Sequence, residues 1–333
     1  MNHPSDVIVR IDDRLRLMSA VLAATNWPEQ SQKRQPHGTH AHARATRKYL
    51  SAHLDHPAVA SLQGLLDQGA PLEAMFTFIL CLGWPGLELQ IDVLPAWVPP
   101  RWIMELRDFY HTTDLSEWWQ REEGVWNKSL DESERVFTDI AFKPFLQPFI
   151  GDVPDDLIFI PNISYPTEQE VGVRIGHELL CIAAPRRAWG DSPPWPFDED
   201  PAHVYRAALS QFGRLLISAY LRHHPDRLAE AVKNPIPVGD QFGALYPTWE
   251  EQFVALWVAA AVAIFLEDHV SAAEAKAYVL MARKAQGMTI LPGTISVLRR
   301  YLSERETGRY GDLLDFLPIF PKQLRIAKRI MTL

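Results

Sequence analysis

The sequence has few cysteines and lacks the short motifs of the common catalytic sites. Its two cysteines, Cys81 and Cys181, lie in apolar surroundings, which is typical of buried thiols rather than of a disulfide framework. There is no G-x-S-x-G, no Walker loop, no G-x-G-x-x-G and no paired C-x-x-C. Nothing in the sequence therefore supports nucleophilic catalysis, although a catalytic triad is defined by geometry and is not excluded by sequence alone.

Positive charge and long apolar segments are also scarce. The chain has 33 Lys and Arg against 41 Asp and Glu, a net charge of −8, which argues against binding to a phosphate backbone. The N-terminus has no basic stretch followed by an apolar one, so we expect no signal peptide. The longest apolar run, Phe253–Leu266, is shorter than the roughly 20 residues of a membrane span and predicts a buried helix. We expect a cytoplasmic protein that binds neither nucleic acid nor membrane.

The patterns that are present predict an α+β, predominantly helical protein. Hydrophobic residues make up 47% of the chain, enough for a sizeable core. Helical periodicity dominates residues 1–130, which predicts an all-helical N-terminal region. Residues 131–333 form the second predicted domain. It begins with two short apolar strands, 156–163 and 170–183, and continues as long helices.

One stretch of the second domain comes close to a zinc-protease signature. His177-Glu178-Leu-Leu-Cys181 is one residue short of His-Glu-x-x-His, which places two ligands on one face of a helix. Here, however, apolar residues alternate from Val171 to Ala183, and this period of two predicts a strand. On a strand, His177 and Glu178 point to opposite faces, so we interpret the match as accidental.

Two further groups are candidate binding residues. His37, His40 and His42 form a histidine-rich segment that resembles a metal-binding loop, but no cysteine or carboxylate accompanies them, and a solvated loop is the simpler interpretation. The tryptophan-rich segment Trp118–Trp126 either lines a ligand groove or packs in the core.

After residue 131, two strands, a proline-rich loop, a long helix (AHVYRAALSQFGRLLISAYL) and a second helix beginning TWEEQFVALWVAAAV follow one another. This order of elements resembles a bacterial family of gluzincin-like metallopeptidases of unknown function. The resemblance covers roughly residues 135–320. It implies a zincin-like domain, with the zinc ligands on the first helix and the third ligand, a glutamate, on the second.

The positions that the resemblance assigns to the metal site have lost their ligands. Ser210-Gln211-Phe212-Gly213-Arg214 stands where the family has His-Glu-x-x-His, and Glu251, or Glu250 in a shifted register, stands for the third ligand. Serine is a poor zinc ligand and arginine carries a permanent positive charge. The resemblance therefore implies no metal and no cofactor. We expect Arg214 to contact Glu251 or Glu250 where zinc would join the two helices.

These observations lead to one expected function and two alternatives. The first is a zincin-like protein without the zinc site, a non-catalytic binding or scaffolding protein for a peptide or protein ligand that the sequence does not identify. The second is a metal-dependent hydrolase or peptidase that uses other residues, for which His177 and Cys181 are candidates because they share a strand face. The third is an α-helical interaction module built on the tryptophan-rich N-terminal half.

Overall fold

The chain folds into two compact units, each built from discontinuous segments. The structure is a computed structural model that describes residues 5–34, 41–188 and 192–331. The sheet unit comprises Val7–Asp139 and Asp156–Asp200. The helical unit comprises the described parts of Met1–Asp6, Ile140–Asp155 and Pro201–Leu333. This division is different from the one predicted at residue 130, which rests on a change of pattern along the chain.

Eight helices and the whole sheet lie in the described part of the sheet unit. The strands are β1 (Val7–Val9), β2 (Asp156–Pro161), β3 (Val171–Ile175) and β4 (Glu178–Ala183). The α-helices are α1 (Asp13–Ala24), α2 (Trp27–Arg34), α3 (Ala41–Tyr49), α4 (Pro57–Asp67), α5 (Leu72–Leu80), α6 (Trp102–Thr112), α7 (Leu115–Arg121) and α8 (Glu123–Phe137). Short 3₁₀ helices occur at Leu50–His53 and Phe197–Glu199.

The four strands form one mixed sheet in the order β1-β2-β4-β3. β1 and β4 both run parallel to β2, with Ile8 paired to Ile158 and Phe159 to Cys181, while β3 runs antiparallel to β4. The expected neighbouring strands of one sheet are thus confirmed. The prediction of an all-helical N-terminal region is wrong at β1, because three residues gain their strand partner from a segment about 150 positions later in the chain.

The segment 170–183 is a hairpin rather than one continuous strand. β3 and β4 are joined by Gly176 and His177, and Ile175 pairs with Glu178 across this two-residue turn. Gly176 has a φ of 56°, in the left-handed region that glycine adopts without steric cost and that the first position of a type II′ turn requires. The alternation continues through the turn, so the sequence pattern does not show where one strand ends.

The helical unit contains the remaining helices of the described chain. They are α9 (Phe142–Ile150), α10 (Pro201–His223), α11 (Pro225–Val232), α12 (Asp240–Leu245), α13 (Trp249–His269), α14 (Ala272–Gln286), α15 (Leu291–Glu306), α16 (Leu313–Phe316) and α17 (Phe320–Met331), with a 3₁₀ turn at Leu317–Ile319.

Helix α13 is the central element of the helical unit. It packs against α10, α14 and α15, and Trp257 and Phe265 on it are fully buried, which confirms the predicted buried helix. By length and composition α13 is apolar enough to cross a membrane, with a mean hydropathy of 1.5, but 72% of that stretch is buried inside the protein. Burial on nearly all faces accounts for its apolar character, because a core helix has no polar face.

Candidate functional site

The positions assigned to a former metal site lie on α10 and α13 of the helical unit. Ser210, Gln211 and Arg214 are half-buried on α10. Arg214 donates a hydrogen bond from Nη2 to Oε1 of Gln211, at 3.1 Å. The fourfold spacing of Ser210 and Arg214 puts them on one helix face, as the resemblance requires, but their neighbours on α13 differ from the expected ones.

Glu251 is occupied as a helix cap. Thr248 is the N-cap of α13, and its hydroxyl accepts a hydrogen bond from the backbone N–H of Glu251 at 3.2 Å. The Glu251 carboxylate in turn accepts from the Thr248 backbone N–H at 2.9 Å and from its hydroxyl at 2.8 Å. This is a capping box, and its hydrogen bonds lower the pKa of Glu251.

The expected contact between Arg214 and a glutamate of α13 is not among the contacts that the structure shows for the described residues. No ion pair joins Arg214 to Glu250 or Glu251 within the part of the chain that the structure describes. The close approach of the two helices explains this: a Cβ on Gly213 would lie 3.2 Å from the Trp257 ring. Trp257 follows Glu251 by six residues, about 9 Å along a helix, so Arg214 is level with a different turn of α13.

The histidine candidates do not converge either. His177 is exposed in the β3–β4 turn, whereas Cys181 is fully buried within β4, four positions and about 13 Å along an extended chain from it. These two residues cannot form the pair considered for a hydrolase. His37 and His40 lie outside the described residues, and His42 lies on α3, where burial lowers its pKa. Across residues 5–34, 41–188 and 192–331, no three His, Cys, Asp or Glu side chains group as metal ligands do.

The sheet unit contains a cleft that the tryptophan-rich segment helps to build. We call it the aromatic cleft; its volume is about 290 Å³, and α1, α6, α7 and α8 supply most of its wall. Three aromatic side chains line it, together with three charged and several neutral ones. The lining residues are Ile11, Asp13, Arg16, Tyr110, Ser116, Trp119, Gln120, Glu123, Trp126 and Asn127.

Arg16 is held between two indole rings in the wall of this cleft. Its guanidinium carbon lies 4.3 Å from the ring centroid of Trp119 and 4.4 Å from that of Trp126, so each ring makes a cation–π contact. Nη1 donates to Oδ1 of Asp13 at 2.9 Å. Nε and Nη2 are buried and have no hydrogen-bond acceptor in the described structure. Burial lowers the pKa of the guanidinium, and Asp13 and Glu122 oppose that shift.

Glu122 lies beside this sandwich at the junction of α7 and α8. It is only 9% exposed, and burial raises its pKa to about 7, against the opposing attraction of Arg16. The indole N–H of Trp126 is close enough to favour the ionised form, but its geometry falls short of a hydrogen bond. A buried acid and unpaired N–H donors therefore share one cluster.

The sequence indicated part of this cleft and missed the rest. Trp119 and Trp126 are buried, as core packing predicts, and they also line the cleft, whereas Trp118 stacks on Tyr49 at 4.7 Å. Arg16 and Glu122 were not identified, because their environment comes from helices about 100 residues apart in the chain. The seven-residue spacing of Trp119 and Trp126 does not predict a shared face, because the two residues lie on the different helices α7 and α8.

No protein-family model, curated protein or solved structure matches the chain. The α+β, mostly helical fold with a small mixed sheet is evident from the structure itself. The resemblance to gluzincin-like proteins stays a prediction.

Proposed function

We propose that this chain is a non-catalytic binding protein and that the aromatic cleft holds a basic side chain of a peptide or protein partner. The observation that carries the proposal is the combination of aromatic walls and carboxylates in one cleft. In such a cleft the aromatic rings offer apolar contact area to a ligand, and the polar and charged groups fix its orientation. The proposal does not depend on the resemblance to zincins.

The charges of the lining favour a cation. Asp13 is neutralised by Arg16, at 2.9 Å, which leaves Glu123 as the uncompensated charge of the lining. Glu123 is exposed, so its carboxylate stays hydrated and ionised at little free-energy cost in the protein without ligand. Tyr110 is more open to a ligand than the buried Trp119 and Trp126, and an aromatic ring attracts a guanidinium or ammonium group, as the position of Arg16 between two indoles illustrates.

Peptides that differ in one side chain test this proposal. Acetylated and amidated Gly-Gly-X-Gly-Gly peptides with X as Arg, Lys or Glu are titrated into the full chain while the tryptophan indole signals are followed by NMR. We expect the Arg and Lys peptides to shift the Trp119 and Trp126 signals and the Glu peptide to leave them in place.

Matched variants locate the site. Glu123→Gln removes the uncompensated charge of the lining and should lower the affinity for the Arg peptide by about three- to tenfold. Glu134→Gln removes an exposed charge on the same helix, outside the cleft, and should leave the affinity unchanged. Equal effects of the two changes, or no response to any basic peptide at about 10 mM, would refute the proposal.

A further inference from the structure

The aromatic cleft contains buried N–H groups that have no hydrogen-bond acceptor in the described structure. Nε and Nη2 of Arg16 and Nε1 of Trp126 are buried donors without an acceptor in the described structure. Trp126 is 2% exposed, so water does not replace the missing acceptor at its surface. An unpaired buried donor destabilises the protein, so an arrangement that leaves three of them would be stabilised by a nearby acceptor.

Glu122 is an acceptor that interacts with both of these side chains, Arg16 and Trp126. It is the N-cap residue of α8 and directly follows α7, and both helices line the cleft. Its carboxyl faces Arg16 from α1 and Trp126 from α8. A protonated carboxyl accepts weakly and carries no charge, whereas a carboxylate accepts strongly from a guanidinium and from an indole N–H.

We propose that Glu122 is a proton-sensitive element of the aromatic cleft. When it is protonated, Arg16 stays in the sandwich between Trp119 and Trp126. When it gives up its proton to solvent, the carboxylate draws the free N–H groups of Arg16 and Trp126 onto its oxygens, and the two tryptophan walls move with them. The consequence for ligands rests on the proposed function, because the walls that move are those of the proposed site.

Burial raises the pKa of Glu122 to about 7, so we expect the proposed rearrangement near neutral pH. The other charged and titratable groups around the cluster do not include a second buried acid. They are Asp13 and Arg16 from α1, Tyr110 and the adjoining exposed His111 from α6, the exposed pair Glu117 and Arg121 from α7, and the exposed Glu123 from α8. Histidine is the side-chain type whose charge ordinarily changes near neutral pH, so a His111 variant serves as a control.

An NMR titration of the full chain without ligand tests the inference. The indole cross-peak of Trp126 is assigned by its loss in Trp126→Phe and followed from about pH 5.5 to about pH 8.5, a range that brackets the ordinary titration of a histidine and of a raised carboxyl. We expect the Trp126 peak to move with a midpoint near 7. We expect no such movement in Glu122→Gln, while His111→Gln keeps it.

A second measurement on the unmodified protein keeps the test valid even if a variant has an altered fold. The carboxyl ¹³C signal of Glu122 in the unmodified protein reports its own ionisation. A midpoint below about pH 5.5 would overturn the inference, and so would a Trp126 movement that survives Glu122→Gln. Because no ligand is present, these results stand whether or not the cleft binds basic peptides. Failure of the peptide titration would refute the proposed function alone.

Discussion

At the scale of single residues, the chemistry of the aromatic cleft comes from two opposite charges that are buried together. Arg16 has an ion pair with Asp13 and two cation–π contacts, which together offset the desolvation cost of burying its charged guanidinium. The attraction of Arg16 offsets the burial of Glu122 only in part, and the raised pKa of Glu122 expresses that difference. Sequence reasoning finds tryptophans readily by composition. It does not find an arginine or glutamate whose burial depends on partners elsewhere in the chain.

Replacing Glu122 by Gln should change how stability depends on pH. The folded protein binds the Glu122 proton more tightly than the unfolded chain does, since its pKa rises from 4.5 to about 7. Between these two values the folded state holds more protons, so this group lowers stability as pH increases. Glu122→Gln removes that loss. We expect the variant to gain about 1–2 kcal/mol relative to the original chain between pH 5 and pH 8, less than the full shift because Glu122 keeps some contact with water.

Denaturant unfolding of both proteins at the two pH values measures this gain. Glu134→Gln, an exposed change on the same helix, serves as the control and should show no pH-dependent difference. A loss of stability in Glu122→Gln that grows with pH would mean that the carboxylate is stabilising. That result would contradict the burial argument.

At the scale of elements, the sequence predicted those whose structure follows from a strong local pattern. It did not predict those that depend on pairing with a distant strand. The buried helix over 253–266 was predicted correctly, because a helix with apolar residues on every face is stable only in the protein interior. The β3–β4 hairpin was predicted only as extended chain, since Gly176 and His177 continue the alternation across the turn. β1 was missed altogether, because three residues such as VIV become a strand only beside β2.

Gly213 lies at a close approach of α10 to α13 and should not tolerate a branched side chain. Any Cβ at this position lies 3.2 Å from the fully buried ring of Trp257, so the ring would have to shift. We expect Gly213→Val to destabilise the protein by about 1–3 kcal/mol through overpacking. Gly243→Val is the matched control on helix α12, where the nearest atom to a new Cβ is 3.9 Å away. Thermal unfolding that shows equal losses for both variants would contradict this account of the helix contact.

At the scale of the whole molecule, composition and periodicity were sufficient for the fold class but not for its division. The proportion of helical patterns and two apolar strands predicted an α+β, mostly helical protein, which the structure confirms. The units, however, interleave along the chain: 140–155 joins the helical unit although the segments on both sides of it belong to the sheet unit. A change of pattern near residue 130 does not show such interleaving, because periodicity reports neighbours in sequence only.

The interleaving leads to a prediction about fragments. Cutting the chain after residue 130 divides α8 and separates β1 from β2, its only described strand partner. The piece 1–130 also loses Ile158, Leu180 and Ile182, which are buried in the same hydrophobic core as α1 and α5. We therefore expect 1–130 alone to lack cooperative unfolding and dispersed amide NMR signals, since a core without its sheet leaves large apolar faces in water. Coexpression with 131–333 should restore both signals by supplying β2–β4 and the rest of α8. A cooperative transition for the isolated 1–130 piece would instead establish the N-terminal region as an independent domain.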